Sequence, residues 1–223
     1  MHMIDNVESV LFDLDGTLLD TAPDMVEAVN NLRIELGLEP KPYNELRNTV
    51  SHGGAALIRK GLDINDDHQD FQSYLKKFLD SYQENIANKT DFFPGMEKVV
   101  EKLEQLDIPW GIVTNKPHWL TSDLISKLGI SQRTSCIVSG DTLTEKKPHP
   151  APLLHACKIL NVNPENTIYV GDAQRDIEAG NNASMHTLVA MFGYIDIDDH
   201  PEQWEADGLI EKPEEILNMI NLP

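Results

Sequence analysis

Two aspartates stand two positions apart directly after a short apolar run near the amino terminus. Asp13 and Asp15 follow Val10–Phe12, which has the character of a buried strand. Where a strand unwinds into a loop, side chains that alternate along it can converge on one point. Converging carboxylates repel each other unless a cation lies between them, so this pair indicates a Mg²⁺ site. Gly16 lets the chain turn and exposes N–H groups that can receive a phosphate, although Asp and Gly are also common in surface turns.

Two further polar clusters follow later apolar runs. Thr114 and Asn115 come directly after Trp110–Val113, and a hydroxyl and an amide at a strand end can cradle a phosphate. Lys147 precedes Pro148, and a residue before proline is biased towards an extended backbone. The direction of the lysine side chain is therefore restrained by the backbone. Taken singly, both signals are weak, because Thr and Asn are common at helix N-caps and a solvated lysine pair is the favoured interpretation of Lys146 and Lys147.

A second pair of acids follows another apolar run. Asp172 and Asp176 lie after Ile168–Val170, four residues apart at a strand-to-helix junction, so one or both can face the same point as the first pair. Carboxylates at a helix N-terminus are also ordinary partners of the helix dipole. Four separate strand ends nevertheless supply an acid, a hydroxyl, a lysine and a second acid. This combination favours an active site that binds phosphate.

Short apolar runs alternate with helix-like stretches, which predicts an α/β fold with a parallel sheet and crossover helices. The predicted strands are Val10–Phe12, Trp110–Val113, Cys136–Val138, Ile168–Val170 and Leu188–Met191. The predicted helices between them are Met96–Leu106, Leu120–Leu128 and Pro152–Leu160.

The interval 21–92 interrupts this alternation, because it contains helical patterns without strands. The predicted helices there are Pro23–Leu36, Tyr43–Thr49, Ala55–Lys60 and Asp70–Asn85. An insert placed directly after the first strand would stand over the carboxyl ends of the strands, where open α/β sheets bind ligands. We therefore expect a catalytic core formed by 1–20 and 93–223 and a helical cap formed by 21–92, which can act as a lid. A simple helical extension of the core is the alternative.

The composition excludes several classes of partner. The 223 residues carry a formal charge of −19, from 37 acidic and 18 basic side chains, which argues against an extended nucleic-acid surface. No apolar run approaches the roughly 20 residues of a membrane span, and Met1 to Asn6 lacks the features of a signal peptide. Cys136 and Cys157 lack metal-ligand spacing and are expected to be buried thiols. We expect a cytoplasmic protein with no membrane partner.

Together these motifs resemble the haloacid dehalogenase-like superfamily of aspartate-nucleophile phosphatases across almost the whole chain. The corresponding motifs are Asp13-Leu14-Asp15-Gly16-Thr17, Thr114, Lys147-Pro148-His149-Pro150, and Gly171-Asp172 with Asp176. One departure is Ala173, where relatives often carry Ser. The resemblance implies a Rossmann-like parallel sheet core, with a mobile helical cap inserted between the first and second motifs.

The resemblance also implies roles for the two acids of the first loop. Asp13 is the expected nucleophile and forms an aspartyl-phosphate. Asp15 is expected to protonate the leaving oxygen and then to deprotonate the water that hydrolyses the intermediate. Gly16 and Thr17 complete the loop that binds the phosphate.

The remaining motif residues are expected to hold the metal and the phosphate. By the resemblance, Mg²⁺ is bound by Asp13, the backbone carbonyl of Asp15, and Asp172. Asp176 is expected in the second shell, where it positions a metal-bound water or the lysine. Thr114 and the N–H of Asn115 would hold phosphate oxygens, and Lys147 would offset the charge between Asp13 and the phosphate.

Within the superfamily, the chain is similar to bacterial phosphoglycolate phosphatases and to phosphatases of N-acetylmuramic acid 6-phosphate. Val113–Pro117 and Leu18–Asp24 are shared by both groups, whereas Ser51–Gly54 and Phe192–Ile195 are more similar to the second group.

The interval 21–92 supplies further candidates for substrate contacts. These are Arg47, His52 and Arg59, together with Gly53 and Gly54, where the backbone could approach a ligand. Surface solvation of the two arginines and the histidine is equally consistent with the sequence.

The sequence therefore predicts a Mg²⁺-dependent phosphomonoester hydrolase that acts on a small phosphorylated metabolite. A phosphosugar mutase shares every core motif, and a non-catalytic binding protein that keeps the fold is a further alternative. A haloacid dehalogenase is disfavoured, because it needs neither Mg²⁺ nor a second acid at Asp15. Both a monomer and a homodimer remain open.

Overall fold

A six-stranded parallel sheet forms the centre of the structure, a computed structural model that describes residues 3–221. The ends of the predicted core segments, 1–2 and 222–223, lie outside the described residues. The strands of the described chain are β1 Ser9–Phe12, β2 Leu19–Asp20, β3 Asp91–Phe92, β4 Trp110–Val113, β5 Cys136–Val138, β6 Thr167–Gly171, β7 His186–Ala190 and β8 Gly208–Ile210. The sheet has the order β5-β4-β1-β6-β7-β8, so the predicted parallel α/β class is confirmed.

The central position of β1 determines where the site forms. Val10 is paired with Trp110 of β4 on one side and with Ile168 of β6 on the other. Every residue of these three strands is buried, as expected for a parallel sheet that is covered on both faces. The chain turns to opposite sides of β1 at this point, and open α/β sheets bind ligands at such a switch point.

Nine α-helices complete the described chain. They are α1 Ala22–Glu35, α2 Tyr43–Leu46, α3 Gly53–Leu62, α4 Phe71–Glu84, α5 Met96–Gln105, α6 His118–Lys127, α7 Ala151–Leu160, α8 Gln174–Asn182 and α9 Glu215–Met219. The first four lie between β2 and β3, which pair antiparallel and bring the two ends of this interval together. We call this interval, 21–92, the helical segment; its status as a separate domain stays a prediction.

The structure differs from the sequence prediction at one predicted helix and at four short elements that were not predicted. A single helix over Tyr43–Thr49 is wrong, because α2 ends at Leu46 and continues as a 3₁₀ helix over Arg47–His52. Gly53, at a φ of 81°, ends this 3₁₀ helix and is the first residue of α3. The short strands β2, β3 and β8 and the five-residue α9 were not predicted, because so few residues carry no periodic signal.

One apolar cluster connects the sheet to the helical segment. Phe12 from the sheet, Val29 from α1 and Phe78 from α4 belong to the same group of buried side chains. Both Cys136 and Cys157 are buried free thiols, as predicted. Within residues 3–221, no helix combines the length and the apolar character that crossing a bilayer requires.

Candidate active site

The first loop is anchored to the end of a neighbouring strand. The Asp13 N–H donates to the carbonyl of Val170 at 2.9 Å, which extends the β1–β6 pairing by one residue. The Asp13 side chain is buried, and its Oδ1 accepts a hydrogen bond of 2.8 Å from Lys147 Nζ. Burial raises the pKa of Asp13 above its ordinary value, although the charge of Lys147 opposes this effect.

Lys147 lies at the centre of the buried charges. Its Nζ donates to Asp13 Oδ1, to the carbonyl of Val113 at 2.9 Å, and to the Tyr169 hydroxyl at 2.7 Å. An ammonium group has three N–H bonds, so these acceptors use all of them. Asp176 Oδ1, 2.8 Å from Nζ, therefore makes an ion pair without an aligned hydrogen bond. Burial alone would lower the pKa of Lys147, but the two carboxylates outweigh burial and raise it, which keeps the group charged.

The Asn115 amide fixes the backbone that carries Lys147. Its Nδ2 donates to the Lys147 carbonyl at 3.0 Å, and its Oδ1 accepts from the Lys147 N–H at 3.1 Å. The peptide bond from Lys147 to Pro148 is cis. The hydroxyl of Thr114 accepts from the Lys116 N–H at 3.1 Å, at the end of β4. Two loops are thus locked together beside Asp13.

Three buried carboxylates form a candidate metal centre. Asp13, Asp172 and Asp176 each offer an oxygen, and these atoms lie within 4.8 Å of one another. Asp172 Oδ2 accepts from the Tyr194 N–H at 2.9 Å, whereas its Oδ1 is buried without a hydrogen-bond partner among residues 3–221. Burial, reinforced by the charges of Asp13 and Asp176, raises the pKa of Asp172 to about 7. An orphaned oxygen in such a cluster fits a hard divalent cation such as Mg²⁺.

Close packing explains the glycine of the first loop. Gly16 has a φ of 91°, and a Cβ at this position would lie 2.0 Å from Asp172 Oδ2. Any side chain would therefore displace the Asp172 carboxylate. Thr17 is fully buried, and its hydroxyl has no hydrogen-bond partner in the described chain.

Asp15 is paired with a lysine that the sequence analysis did not select. Its Oδ1 accepts from Thr21 Oγ1 at 2.6 Å and from Lys116 Nζ at 2.9 Å. The Lys116 ammonium also lies over the ring of Tyr82, 4.7 Å from its centre. Burial would lower the pKa of Lys116, but Asp15 more than offsets this and raises it. The sequence signal for a role of Lys116 was its position directly after Asn115. The direction of its side chain, however, depends on tertiary packing.

A cavity of about 610 Å³ joins the sheet edge to the helical segment. The predicted site residues on its lining are Asp13, Asp15, Thr114, Asn115, Lys147, His52, Gly53 and Gly54. Gly16, Thr17, Asp172 and Asp176 are buried and do not line it. A groove of about 960 Å³ precedes β1, but the charged residues on its lining, Asp5, Glu8 and Asp107, are all acidic.

Two of the predicted substrate contacts, Arg47 and Arg59, do not line this cavity in the structure. The Arg47 guanidinium donates to the carbonyls of Gly193, at 2.9 Å, and Phe192, at 3.3 Å. Arg59 forms an exposed ion pair of 2.8 Å with Asp66. Both guanidinium groups are thus engaged elsewhere. His52 does line the cavity, and burial together with the charge of Arg175 lowers its pKa.

Ser51 and Arg175 connect the helical segment to the acidic cluster, and the sequence analysis assigned neither a role. Ser51 Oγ donates to Asp172 Oδ2 at 2.6 Å. Arg175 Nη2 donates to the Ser51 carbonyl at 2.5 Å. Asn48 Nδ2 makes a further link, to the carbonyl of Ile195 at 2.7 Å. The helical segment therefore touches the acids directly in this structure.

Comparison with known proteins gives consistent results. The family model described as "Haloacid dehalogenase-like hydrolase" matches residues 10–190. The chain is 41% identical over 208 residues to a phosphoglycolate phosphatase of Xanthomonas campestris pv. campestris, covering 93% of this chain and 94% of the relative. It is 35% identical over 215 residues to an N-acetylmuramic acid 6-phosphate phosphatase of Pseudomonas aeruginosa, covering 96% and 95%.

A solved structure agrees with these relatives. The crystal structure of a predicted phosphoglycolate phosphatase from Haemophilus somnus 129pt superposes with a TM-score of 0.84 at 26% identity, covering 96% of this chain and 98% of that one. The family match includes β1, β4 and β6, whose ends carry the buried charges described above. The chain therefore belongs to the haloacid dehalogenase-like hydrolase family.

Proposed function

We propose that this protein is a Mg²⁺-dependent phosphatase that hydrolyses a small phosphomonoester through an aspartyl-phosphate on Asp13. The observation that carries the proposal is the single buried cluster of Asp13, Lys147, Asp172 and Asp176 at the edge of a 610 Å³ cavity. An anionic nucleophile can attack an anionic phosphate only where fixed cations and dipoles cancel the repulsion.

The first half-reaction uses the two acids of the first loop. A carboxylate oxygen of Asp13 attacks phosphorus, a new oxygen–phosphorus bond forms, and the bond to the leaving oxygen breaks. Asp15 supplies a proton to that oxygen, and its contact with Lys116 at 2.9 Å orients the carboxyl group. In the second half-reaction Asp15 takes a proton from the attacking water, which releases inorganic phosphate and restores Asp13.

The other residues hold charges in place during both steps. Lys147, bonded to Asp13 at 2.8 Å, reduces the repulsion between nucleophile and phosphate. Thr114 and the Asn115 backbone lie on the cavity lining, where they can bind phosphate oxygens. Asp13, Asp172 and the backbone of Asp15 would hold Mg²⁺, with Asp176 positioning Lys147. When bound, the metal ion supplies positive charge to the phosphate oxygens.

We propose that the helical segment acts as the cap of this site. It contributes His52, Gly53 and Gly54 to the cavity lining, opposite the catalytic loops. A closed segment would exclude bulk water from the phosphate and select the rest of the substrate by shape. The relatives named above act on phosphoglycolate and on N-acetylmuramic acid 6-phosphate, and these two compounds are the first candidate substrates.

Phosphate release from p-nitrophenyl phosphate tests the proposed chemistry. We expect turnover with Mg²⁺, loss of turnover in EDTA, and recovery when Mg²⁺ is restored. A parallel screen of phosphoglycolate, N-acetylmuramic acid 6-phosphate and common sugar phosphates then identifies the substrate. Release of free phosphate without a sugar bisphosphate primer distinguishes a phosphatase from a mutase. No hydrolysis of any of these compounds with Mg²⁺ present would contradict the proposal.

A further inference from the structure

Four long basic side chains line the cavity, and two of them are already paired with carboxylates. Lys147 contacts Asp13 and Asp176, both at 2.8 Å, and Lys116 contacts Asp15 at 2.9 Å. The remaining two are Lys146 and Arg175, and neither makes a salt bridge in the described part of the chain. Lys146 is exposed, whereas Arg175 is partly buried against the helical segment. Arg175 is thus the partly buried cation of the lining that makes no direct ion pair in the described chain, although the charges of Asp176, Asp13 and Asp172 act on it at longer range.

The place of Arg175 in its helix is locally unfavourable. It is the second residue of α8, and the positive end of a helix dipole disfavours a cation in the first turn. Burial would also lower the pKa of Arg175, but the neighbouring carboxylates, Asp176 above all, outweigh burial and raise it. A cation kept at such a position is expected to have a use that the helix itself does not supply.

The hydrogen bonds of Arg175 leave most of its donors unused. A guanidinium group has five N–H donors in a planar fork, and Arg175 donates one hydrogen bond to a residue of the described chain, from Nη2 to the Ser51 carbonyl. This bond joins the guanidinium group to the helical segment, beside His52 on the cavity lining. The fork matches a carboxylate, which it can bind with two parallel hydrogen bonds.

The size of the cavity leaves room for more than a phosphate. Its volume of about 610 Å³ is that of a site for a ligand with a carbon skeleton, and apolar side chains such as Met25, Leu75 and Leu79 form part of the lining. Asp13 and Lys147 define the phosphate end. A second anionic group of the same substrate would meet a net charge of −19 on the protein as a whole, so it needs a local cation.

We infer that Arg175 is a specificity residue, which binds a carboxylate carried by the phosphomonoester substrate. The inference rests on the proposed phosphatase function and adds the residue that recognises the carboxylate, a group that both candidate substrates carry. The ion pair forms without a covalent step, and the carboxylate replaces water around the guanidinium group. It predicts a preference for phosphomonoesters that carry a carboxylate over matched compounds that lack one.

Two matched pairs of substrates test this inference. Phosphoglycolate is compared with its amide, which has the same shape but no charge at the carboxyl end. N-Acetylmuramic acid 6-phosphate is compared with the amide of its lactyl group, which has nearly the same shape but no carboxylate charge. The readout is the ratio of kcat/KM within each pair, because a general loss of activity cancels in this ratio. Whichever pair shows the larger ratio identifies the source of the carboxylate.

Arg175→Gln is expected to lower this ratio by roughly 10- to 100-fold, mainly through KM, as for loss of a charge-assisted hydrogen bond. Arg175→Lys keeps the charge but not the fork, and we expect it to retain part of the preference. Lys146→Gln is the control, because this exposed lysine lines the same cavity, and its ratio is expected to stay unchanged. Circular dichroism of each variant checks the fold, and Arg175→Lys serves the test if Arg175→Gln does not fold.

Three results would overturn the inference. An equal loss of kcat/KM on both members of each pair would mean that Arg175 has only a structural role, through its hydrogen bond to Ser51. A drop of the ratio in Lys146→Gln but not in Arg175→Gln would assign the carboxylate to Lys146. Hydrolysis of p-nitrophenyl phosphate by the wild type, with no preference within either pair, would remove the carboxylate but leave the phosphatase function standing. Absence of that hydrolysis would instead contradict the phosphatase function itself.

Discussion

The polar groups at the edge of the sheet and those of the helical segment are held in different ways. Lys147 and Asp176 have side-chain exposures of 1% and 0%, and each contacts other buried polar atoms. Arg59, in the helical segment, has a side-chain exposure of 42% and a single carboxylate partner. Buried charges that are fixed on several sides can stabilise a reacting phosphate without reorganising, whereas exposed pairs contribute little to either stability or chemistry.

The contacts between the two regions sharpen this contrast. Around the acidic cluster, the helical segment contacts the core through Ser51, whose hydroxyl donates to Asp172 and whose carbonyl accepts from Arg175. Asn48 and Arg47 add hydrogen bonds to the backbone carbonyls of residues 192–195. These are a few hydrogen bonds at the surface of a buried charge cluster. Movement of the residues around Ser51 would therefore break these hydrogen bonds and leave the ion pairs of Lys147 intact. In the proposed function, the sheet edge supplies the chemistry and the helical segment controls access to it.

The largest effect is expected at the nucleophile. Asp13→Asn removes the attacking carboxylate while keeping the shape of the side chain, so kcat on p-nitrophenyl phosphate should fall on the order of 10⁴-fold or more. Asp24→Asn is the matched control, because Asp24 is also a buried carboxylate, but it accepts hydrogen bonds from Lys89 and Thr90 in the helical segment. We expect this control to lose stability and to retain turnover. Asp13→Asn activity within roughly tenfold of the wild type would contradict the assignment.

The second prediction separates the roles of the two first-loop acids. Asp15→Asn should slow turnover of an alkyl phosphate by about 10²–10⁴-fold, the usual contribution of general acid–base catalysis. p-Nitrophenolate leaves without protonation, so the first half-reaction on the aryl phosphate should be nearly preserved. Rapid mixing should then show one equivalent of nitrophenol per enzyme, followed by slow turnover. Equal losses on both substrates, with no such burst, would exclude Asp15 as the acid.

The third prediction concerns the charge of the metal centre. Without a bound metal ion, burial and the charges of Asp13 and Asp176 raise the pKa of Asp172 in the folded state from its ordinary 3.8 to about 7, and EDTA maintains this condition. A raised pKa stabilises the fold at low pH and loses this contribution as the pH rises through about 7. We expect urea unfolding to show that Asp172→Asn gains stability relative to the wild type between pH 5 and pH 8. Mg²⁺ should stabilise the wild type more at pH 8 than at pH 5, and a pH-independent difference would contradict this electrostatic account.

The sheet edge could be predicted from the sequence to a much greater extent than the helical segment. Strand ends follow from apolar runs, and parallel strands bring their carboxyl ends to one edge, so Asp13, Thr114, Lys147 and Asp172 were expected to meet. In contrast, the sequence carries no signal for the direction of a cationic side chain on a short helix or a 3₁₀ turn. Arg47 and Arg59 therefore entered the prediction, whereas Arg175 was assigned no role.

The smallest effect is expected from the residues that the structure places outside the cavity. Arg59→Gln removes an exposed ion pair with Asp66, whose side chain is 66% exposed, and should change the free energy of unfolding by about 0–1 kcal/mol. Its kcat and KM should match the wild type on every substrate, because the guanidinium group lies outside the cavity lining.

Arg47→Gln is the variant to compare with Arg59→Gln, since it removes the hydrogen bonds to the Phe192 and Gly193 carbonyls. It should alter KM for all substrates alike, through the contact between the two regions. A change of substrate preference in either variant would mean that the helical segment brings these arginines to the substrate when it closes, and the contrast between the two regions would then hold only for the unliganded protein.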